Sequence, residues 1–178
     1  MIATKVHTAK DADRNSERST NRKHIKESIK KSLARLQMDY VDIYYAHLYD
    51  QDTPLEEICR AFHEIIEEGL VFYWATSNWE PEVVFNALAI CEKLNLHKPI
   101  GASNQYNMLV RAEVEVEYQS LFNKYNYGLI AWSPLAGGFL TGKYLNGIPE
   151  NEVVRANDTT FWFPIEITKQ LFYNQHAQ

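Results

Sequence analysis

Five strand-like runs in this 178-residue sequence each end in a polar residue able to take part in chemistry: Lys5 on the first, His47 on the second, Ser77 and Asn78 on the third, Ser103 and Gln105 on the fourth, and Ser133 on the fifth. A lysine supplies a compact cation and a histidine an imidazole that orients or exchanges a proton near neutral pH. Serine, asparagine and glutamine fix a polar ligand through hydrogen bonds. In parallel α/β proteins the carboxyl ends of the strands form the edge where sites are built. One polar strand end ordinarily just solvates the backbone, but five on five runs point to a shared site.

Other chemistries lack their residues. The six histidines, His7, His24, His47, His63, His97 and His176, show no zinc-ligand spacing, and His63-Glu64 has no second histidine four residues on. The glycine-rich dinucleotide fingerprint, the P-loop and the Gly-x-Ser-x-Gly elbow are all missing.

The elements that must position these residues follow from periodicity. A stub at Ile2 to Val6 precedes a polar loop from His7 to Thr20. Asn21 then caps a helix whose apolar positions Ile25, Ile29, Leu33 and Leu36 recur at three and four and which ends near Gln37. Tyr40 to His47 is nearly continuous in large apolar residues, as a strand covered on both faces should be. Thr53, Pro54 and Glu56 have the form of a cap, a first-turn proline and a capping-box carboxylate for a helix with Ile58, Phe62, Ile65 and Ile66 inside and Gly69 at its end. Val71 to Ser77 predicts a strand and Pro81 to Asn95 a helix with Val84, Leu88, Cys91 and Leu94 inward. Pro99 to Tyr106 and Tyr127 to Ser133 predict two more strands around an acidic helical stretch at Val114 to Tyr125. The total is about five parallel strands and four helices, the rhythm of a parallel sheet covered by helices. No strand followed by a helix is evident from Tyr144 to Gln178.

Composition narrows the class. With 46% apolar residues the chain is long enough to bury one ordinary core. Its 18 basic and 23 acidic residues, a net charge of −5, argue against nucleic acid as a partner. No run approaches the roughly 20 apolar residues of a membrane span, and Met1 to Lys5 lacks a secretory signal's layout, so a cytoplasmic location is expected. Cys59 and Cys91 fall in helical patterns without a close partner and read as reduced core thiols.

Three segments carry a specific resemblance. Ala3-Thr4-Lys5, the run from Arg35 to His47, and Trp132-Ser133-Pro134-Leu135-Ala136-Gly137-Gly138 with Thr141-Gly142-Lys143-Tyr144 are similar to aldo-keto reductases, in order and over about residues 1 to 155. Within that superfamily, Arg22 to Ile25, Thr53 to Glu57 and Tyr73 to Trp79 most closely resemble the β subunits of voltage-gated potassium channels. The resemblance implies a (β/α)8 TIM barrel, here incomplete and begun at strand three, with residues 156 to 178 as a C-terminal tail. It also implies NADPH as cofactor, hydride transfer to a small carbonyl substrate, docking on a channel's cytoplasmic domain, and a tetramer.

Carried over position by position, the lysine of the family's Asp-Tyr-Lys-His set falls on Lys5, where its charge would lower the pKa of the tyrosine acid. The histidine falls on His47, which would orient the carbonyl. The strands bearing the aspartate and the tyrosine have no counterpart here. Ser77 and Asn78 match positions that hydrogen-bond the nicotinamide amide. Ser103 stands where the family has a glutamine for the same contact, with Gln105 in reach only if the strand slips. Trp132, Ser133, Pro134, Leu135, Ala136 and Gly137 match the turn that wraps the diphosphate, and Lys143 and Arg155 would bring positive charge to the phosphates. Three activities stay open: an ordinary soluble reductase, favoured by His47 where channel subunits usually carry asparagine; a channel-docking subunit, favoured by the sequence from Arg22 to Trp79; and an inactive fragment.

Overall fold

The structure, a computed structural model, describes residues 1–6 and 19–149. Arg155 and the tail from 156 to 178 lie outside them. Within them run β1 (Ala3–Val6), α1 (Arg22–Leu36), β2 (Val41–Ala46), α2 (Leu55–Glu67), β3 (Val71–Ser77), α3 (Pro81–Leu94), β4 (Gly101–Gln105), α4 (Gln119–Tyr125) and β5 (Gly128–Trp132). The strands make one parallel sheet in the order β1-β2-β3-β4-β5. Each strand therefore lies beside its sequence neighbour, and the winding never reverses as it does in a doubly wound sheet. With right-handed crossovers this puts the helices on one face, the arrangement of a (β/α)8 barrel, of which these units form an incomplete set.

The described chain divides into two compact units, residues 1–104 with 118–130, and residues 105–117 with the described part of 131–178. In the first, the side chains alternate across the sheet. Tyr44, Ala46, Trp74 and Ala102 face the helices and pack with Ile25, Ile29, Ile58, Phe62, Ile65, Val84 and Leu88, all buried. The other face carries a smaller layer of Ile43, Tyr45 and Ala75, the side that lines the interior in a closed barrel.

The helix ends follow local chemistry. Asn21 caps α1, its Oδ1 accepting the His24 N–H at 2.9 Å, and Gln37 closes it in the left-handed region at φ 55°. Gly69, at φ 74°, follows α2, and the Leu70 N–H returns to the Ile65 carbonyl, the bond pattern of a glycine stop. Two expectations fail. Thr53 does not cap α2: Pro54 occupies the cap position with no side-chain bond, and Thr53 donates its hydroxyl to Asp50 Oδ2 at 2.5 Å. Nor is Val114 to Tyr125 one helix. Glu113–Glu117 forms a π-helical turn that ends before α4, because Glu-Val-Glu-Val-Glu alternates with period two and a helical turn buries only Val114, leaving Val116 71% exposed.

Cys59 and Cys91 are free and fully buried. The fold sets the two thiols side by side between α2 and α3, and hydrogen bonding to Cys91 together with burial holds Cys59 protonated. The second unit has its own small core of Ala136, Phe139 and Tyr144, with Leu109, Leu140 and Ile148 against it. Among the described residues no helix is long and apolar enough to cross a membrane.

Two substitutions test this packing. A Cβ on Gly101 would lie 2.6 Å from the Gly128 carbonyl oxygen on the adjoining strand, so Gly101→Ala should destabilise by about 1–3 kcal/mol; an unchanged urea midpoint would show that β4 and β5 do not approach this closely. Asn21→Ala should cost about 1 kcal/mol through loss of the cap, read in the same unfolding curves, while Thr53→Ala should cost α2 no capping bond.

Candidate functional site

The register of the sheet decides which polar residues meet. Lys5 pairs with Tyr45, Tyr45 with Ala75, and Ser77 with Ser103. Lys5, Ser77 and Ser103 therefore stand on the face away from the helices, near the carboxyl ends of their strands. Ser103, not Gln105, lies opposite Ser77.

Lys5 Nζ donates to Ser77 Oγ at 3.0 Å and to Ser103 Oγ at 3.2 Å. It also lies 5.2 Å from the centre of the Tyr45 ring, within cation–π range. Ser77 Oγ in turn donates to the Ser103 carbonyl at 2.9 Å and accepts from Asn78 Nδ2 at 3.3 Å. One donor and two acceptor positions exhaust a hydroxyl, so Ser77 is fully occupied, and a new ligand there must replace one of these bonds. The ammonium has three donors and spends two on the serines.

Electrostatics sharpen this lysine. Half-buried and held by neutral oxygens, the Lys5 ammonium has its pKa lowered by desolvation. Burial also raises the Tyr45 phenol. The arrangement presents a partly desolvated cation with a directed N–H, able to polarise a carbonyl or stabilise a developing oxyanion. His47 follows the last residue of β2, at the same edge, and is half-buried.

Asn104 is a residue that sequence reasoning missed. It is fully buried on the helix side, and its Oδ1 accepts the Asn78 backbone N–H at 3.0 Å. Asn78 has φ 55°, a left-handed conformation that asparagine tolerates better than most residues, and the Asn104 bond holds that turn. Beside it Thr76 Oγ1 and Tyr127 Oη, both buried, are 2.9 Å apart. The only advance signal was a run of polar residues, Ser103-Asn104-Gln105, in a strand.

The remaining candidates belong to the second unit. Trp132 and Ser133 are half-buried, Pro134 and Leu135 exposed, Ala136 buried and Gly137 half-buried. Ser133 and Ala136 have φ of 54° and 49°, followed by Gly137 at 68° and Gly138 at 99°. For a residue with a side chain that region costs about 1–2 kcal/mol, so the turn is strained at two places. Asn107, buried and also missed, steadies it: Nδ2 donates to the Ser133 carbonyl at 3.1 Å, and Oδ1 accepts from the Leu109 and Val110 amides. A Cβ on Gly138 would lie 2.8 Å from Lys143 Cε, so this glycine leaves room for the lysine, whose Nζ sits 4.8 Å from the Tyr144 ring centre.

Comparison with known proteins agrees with this architecture. The profile of the Aldo/keto reductase family matches residues 1–176. A rice protein (Oryza sativa subsp. japonica) described as a probable voltage-gated potassium channel subunit beta is 44% identical over 131 residues. That alignment covers 74% of this chain and 40% of the rice protein, so the chain spans well under half the length of this relative. With nearly the whole sequence matched and the parallel strands in barrel order, the chain belongs to the aldo/keto reductase family.

Proposed function

We propose that this chain carries out NADPH-dependent oxidoreductase chemistry on a small carbonyl compound, with Lys5 and His47 as its catalytic residues. The observation that carries the reading is the Lys5 ammonium, held by Ser77 and Ser103 at a strand-end edge, with one of its three donors uncommitted among the described residues. Family membership supports it.

The residues fit the cofactor unit by unit. In the first, the side chains of Ser77, Asn78 and Ser103 offer the donors and acceptors that a carboxamide requires, and Ser77 would exchange its bond from Asn78 or Lys5 for one to that amide. In the second, Leu135 at φ −103° and ψ 13° is followed by Ala136 in the left-handed region. Right-handed then left-handed succession can turn backbone N–H groups toward an anion; here the Ala136 and Gly138 N–H groups are donated to the Ser133 and Leu135 carbonyls, which leaves those of Leu135 and Gly137 for the role, and Lys143 stands beside Gly138. Arg155 belongs to the same proposed phosphate group, outside the described residues. When bound, NADPH supplies the hydride; the chain's part is to hold it and to stabilise charge on the carbonyl oxygen. Lys5 does this with its remaining N–H, directly or through a hydroxyl acid whose pKa it lowers, and His47 orients the carbonyl.

The rice relative's description, a probable channel subunit beta, favours a second reading, a subunit of a voltage-gated potassium channel; the sequence resemblance adds that such a subunit would bind NADPH, dock on the channel's cytoplasmic domain and form a tetramer. Turnover of an aromatic aldehyde without capture by a channel's cytoplasmic segment supports the first reading; capture without turnover supports the second.

Lys5→Met should lower turnover by about a hundredfold or more while leaving NADPH affinity, measured by fluorescence titration, nearly unchanged. Lys143→Ala should weaken that affinity by about tenfold, the worth of one charge-assisted contact. Turnover unaffected by the first change removes Lys5 from the mechanism, and a wild-type chain that does not bind NADPH overturns both readings.

Burial lowers the Lys5 pKa, so the folded protein holds this proton less tightly than the unfolded chain does. The cost of the buried charge is fully present below the folded pKa and vanishes as pH rises past the ordinary value of 10.5. Lys5→Met should therefore gain stability relative to wild type at about pH 7 and lose that advantage progressively toward about pH 10. Urea midpoints at the two pH values provide the check, and a pH-independent difference would contradict the desolvated cation.

A further inference from the structure

The opposite edge of the first unit carries a cluster that no sequence spacing announces. His63 and Glu67 lie four residues apart on α2, hence on one face, and His97 comes from the connection between α3 and β4. His97 Nε2 is 2.7 Å from Glu67 Oε1, and the His97 backbone N–H donates to His63 Nδ1 at 3.3 Å. The two imidazole rings are 5.0 Å apart. One ligand atom from each of the three residues lies within 4.8 Å of the other two. The connection is anchored from inside, since the buried Trp74 indole donates to the His97 carbonyl at 2.7 Å.

We propose that His63, Glu67 and His97 form a binding site for one divalent transition-metal ion of the zinc class, which ties α2 to the connection before β4. Two imidazoles and a carboxylate are ligands that zinc accepts, with room for a fourth from water. Calcium and magnesium prefer all-oxygen shells. Ligands on one tetrahedral zinc stand about 3.3 Å apart, given metal–ligand bonds of about 2.0–2.1 Å. The separations here, from 2.7 Å to 4.8 Å, bracket that value, so side-chain rotation closes the site with the backbone in place. As the ion enters, the His97–Glu67 hydrogen bond opens and the His97 Nε2 proton leaves to solvent or gives way to the Nδ1–H tautomer, while the bond from the His97 N–H to His63 Nδ1 opens, so that two unprotonated ring nitrogens and a carboxylate oxygen turn to the metal.

The position suggests what the ion does. The cluster lies by the end of α2 and just before β4, at the amino ends of the strands and away from the edge with Lys5 and Ser77. In this architecture that side serves stability. Binding that requires the folded arrangement stabilises it.

The test is zinc titration of the metal-stripped 178-residue chain by calorimetry, with cobalt as a spectroscopic substitute and magnesium as a control. Expected are about one equivalent of zinc, visible absorption of four-coordinate cobalt, no magnesium uptake, and a thermal midpoint raised by zinc. His63→Ala and His97→Ala should each weaken zinc binding by more than about a hundredfold, beyond the roughly 10–100-fold that loss of a merely supporting outer residue costs, and should abolish the thermal shift. His63 is half-buried and Glu67 and His97 are exposed, so these variants should fold, as circular dichroism will report. Absence of zinc uptake by the wild type, or uptake of equal strength in both variants, overturns the proposal.

Discussion

The Trp74 indole is fully buried, and an indole N–H without a partner there would cost several kcal/mol. The His97 carbonyl removes that cost at 2.7 Å. The Trp74 backbone carbonyl in turn accepts the Ile100 N–H at 2.9 Å, which seats the chain as it enters β4. Its ring stacks on Phe62 at 4.6 Å and meets Trp79 edge-on at 6.5 Å. One side chain thus joins α2, β3 and the approach to β4. Since a slip of one residue would turn every side chain of β4 to the other face, the Ser77–Ser103 pairing depends on this anchoring.

That pairing governs the polar edge. With Ser103 opposite Ser77, the two hydroxyls converge on one ammonium, while Asn104, pointing the other way, reaches the Asn78 amide. A shift in register would exchange these roles and place an asparagine amide before Lys5. Ser103 is short enough for its hydroxyl to meet the Lys5 ammonium at 3.2 Å.

Much of this was legible because burial writes itself into residue type. The β2 and β3 runs are rich in apolar residues and were readable almost to the residue, as were the caps at Asn21 and Gly69, where a side chain or a positive φ is required; Asn95, read as the last residue of α3, instead caps it at φ 52°. The Lys5, Ser77 and Ser103 cluster was legible as strand-end polarity, but its geometry depended on register. Thr53 was misread because Asp50, three residues earlier, captures its hydroxyl. Asn104 and Asn107 stayed hidden because their work is done through backbone amides and carbonyls. Their amino-acid types alone do not distinguish this from surface solvation. His63, Glu67 and His97 could not be joined from sequence because the third member arrives only through the packing of Trp74.

The Lys5 ammonium shows how stability and reactivity divide across the sheet. Desolvation is the cause of its shift, and among the described residues the groups that hold it are two neutral hydroxyls and a ring face. A carboxylate in that position would stabilise the charge far more, and would also quench it, since a cation already neutralised has little left for a developing oxyanion. The structure instead leaves the charge undersatisfied and surrounds it with rigid supports: a register fixed from the helix side, a serine whose hydrogen bonds are all in use, and an asparagine that holds the neighbouring turn. The apolar layer against α1, α2 and α3 must offset that local penalty, because among the described residues nothing at the polar edge does. Weakening the Trp74 layer would therefore reach Lys5 without touching it, by loosening the register that sets its two serines.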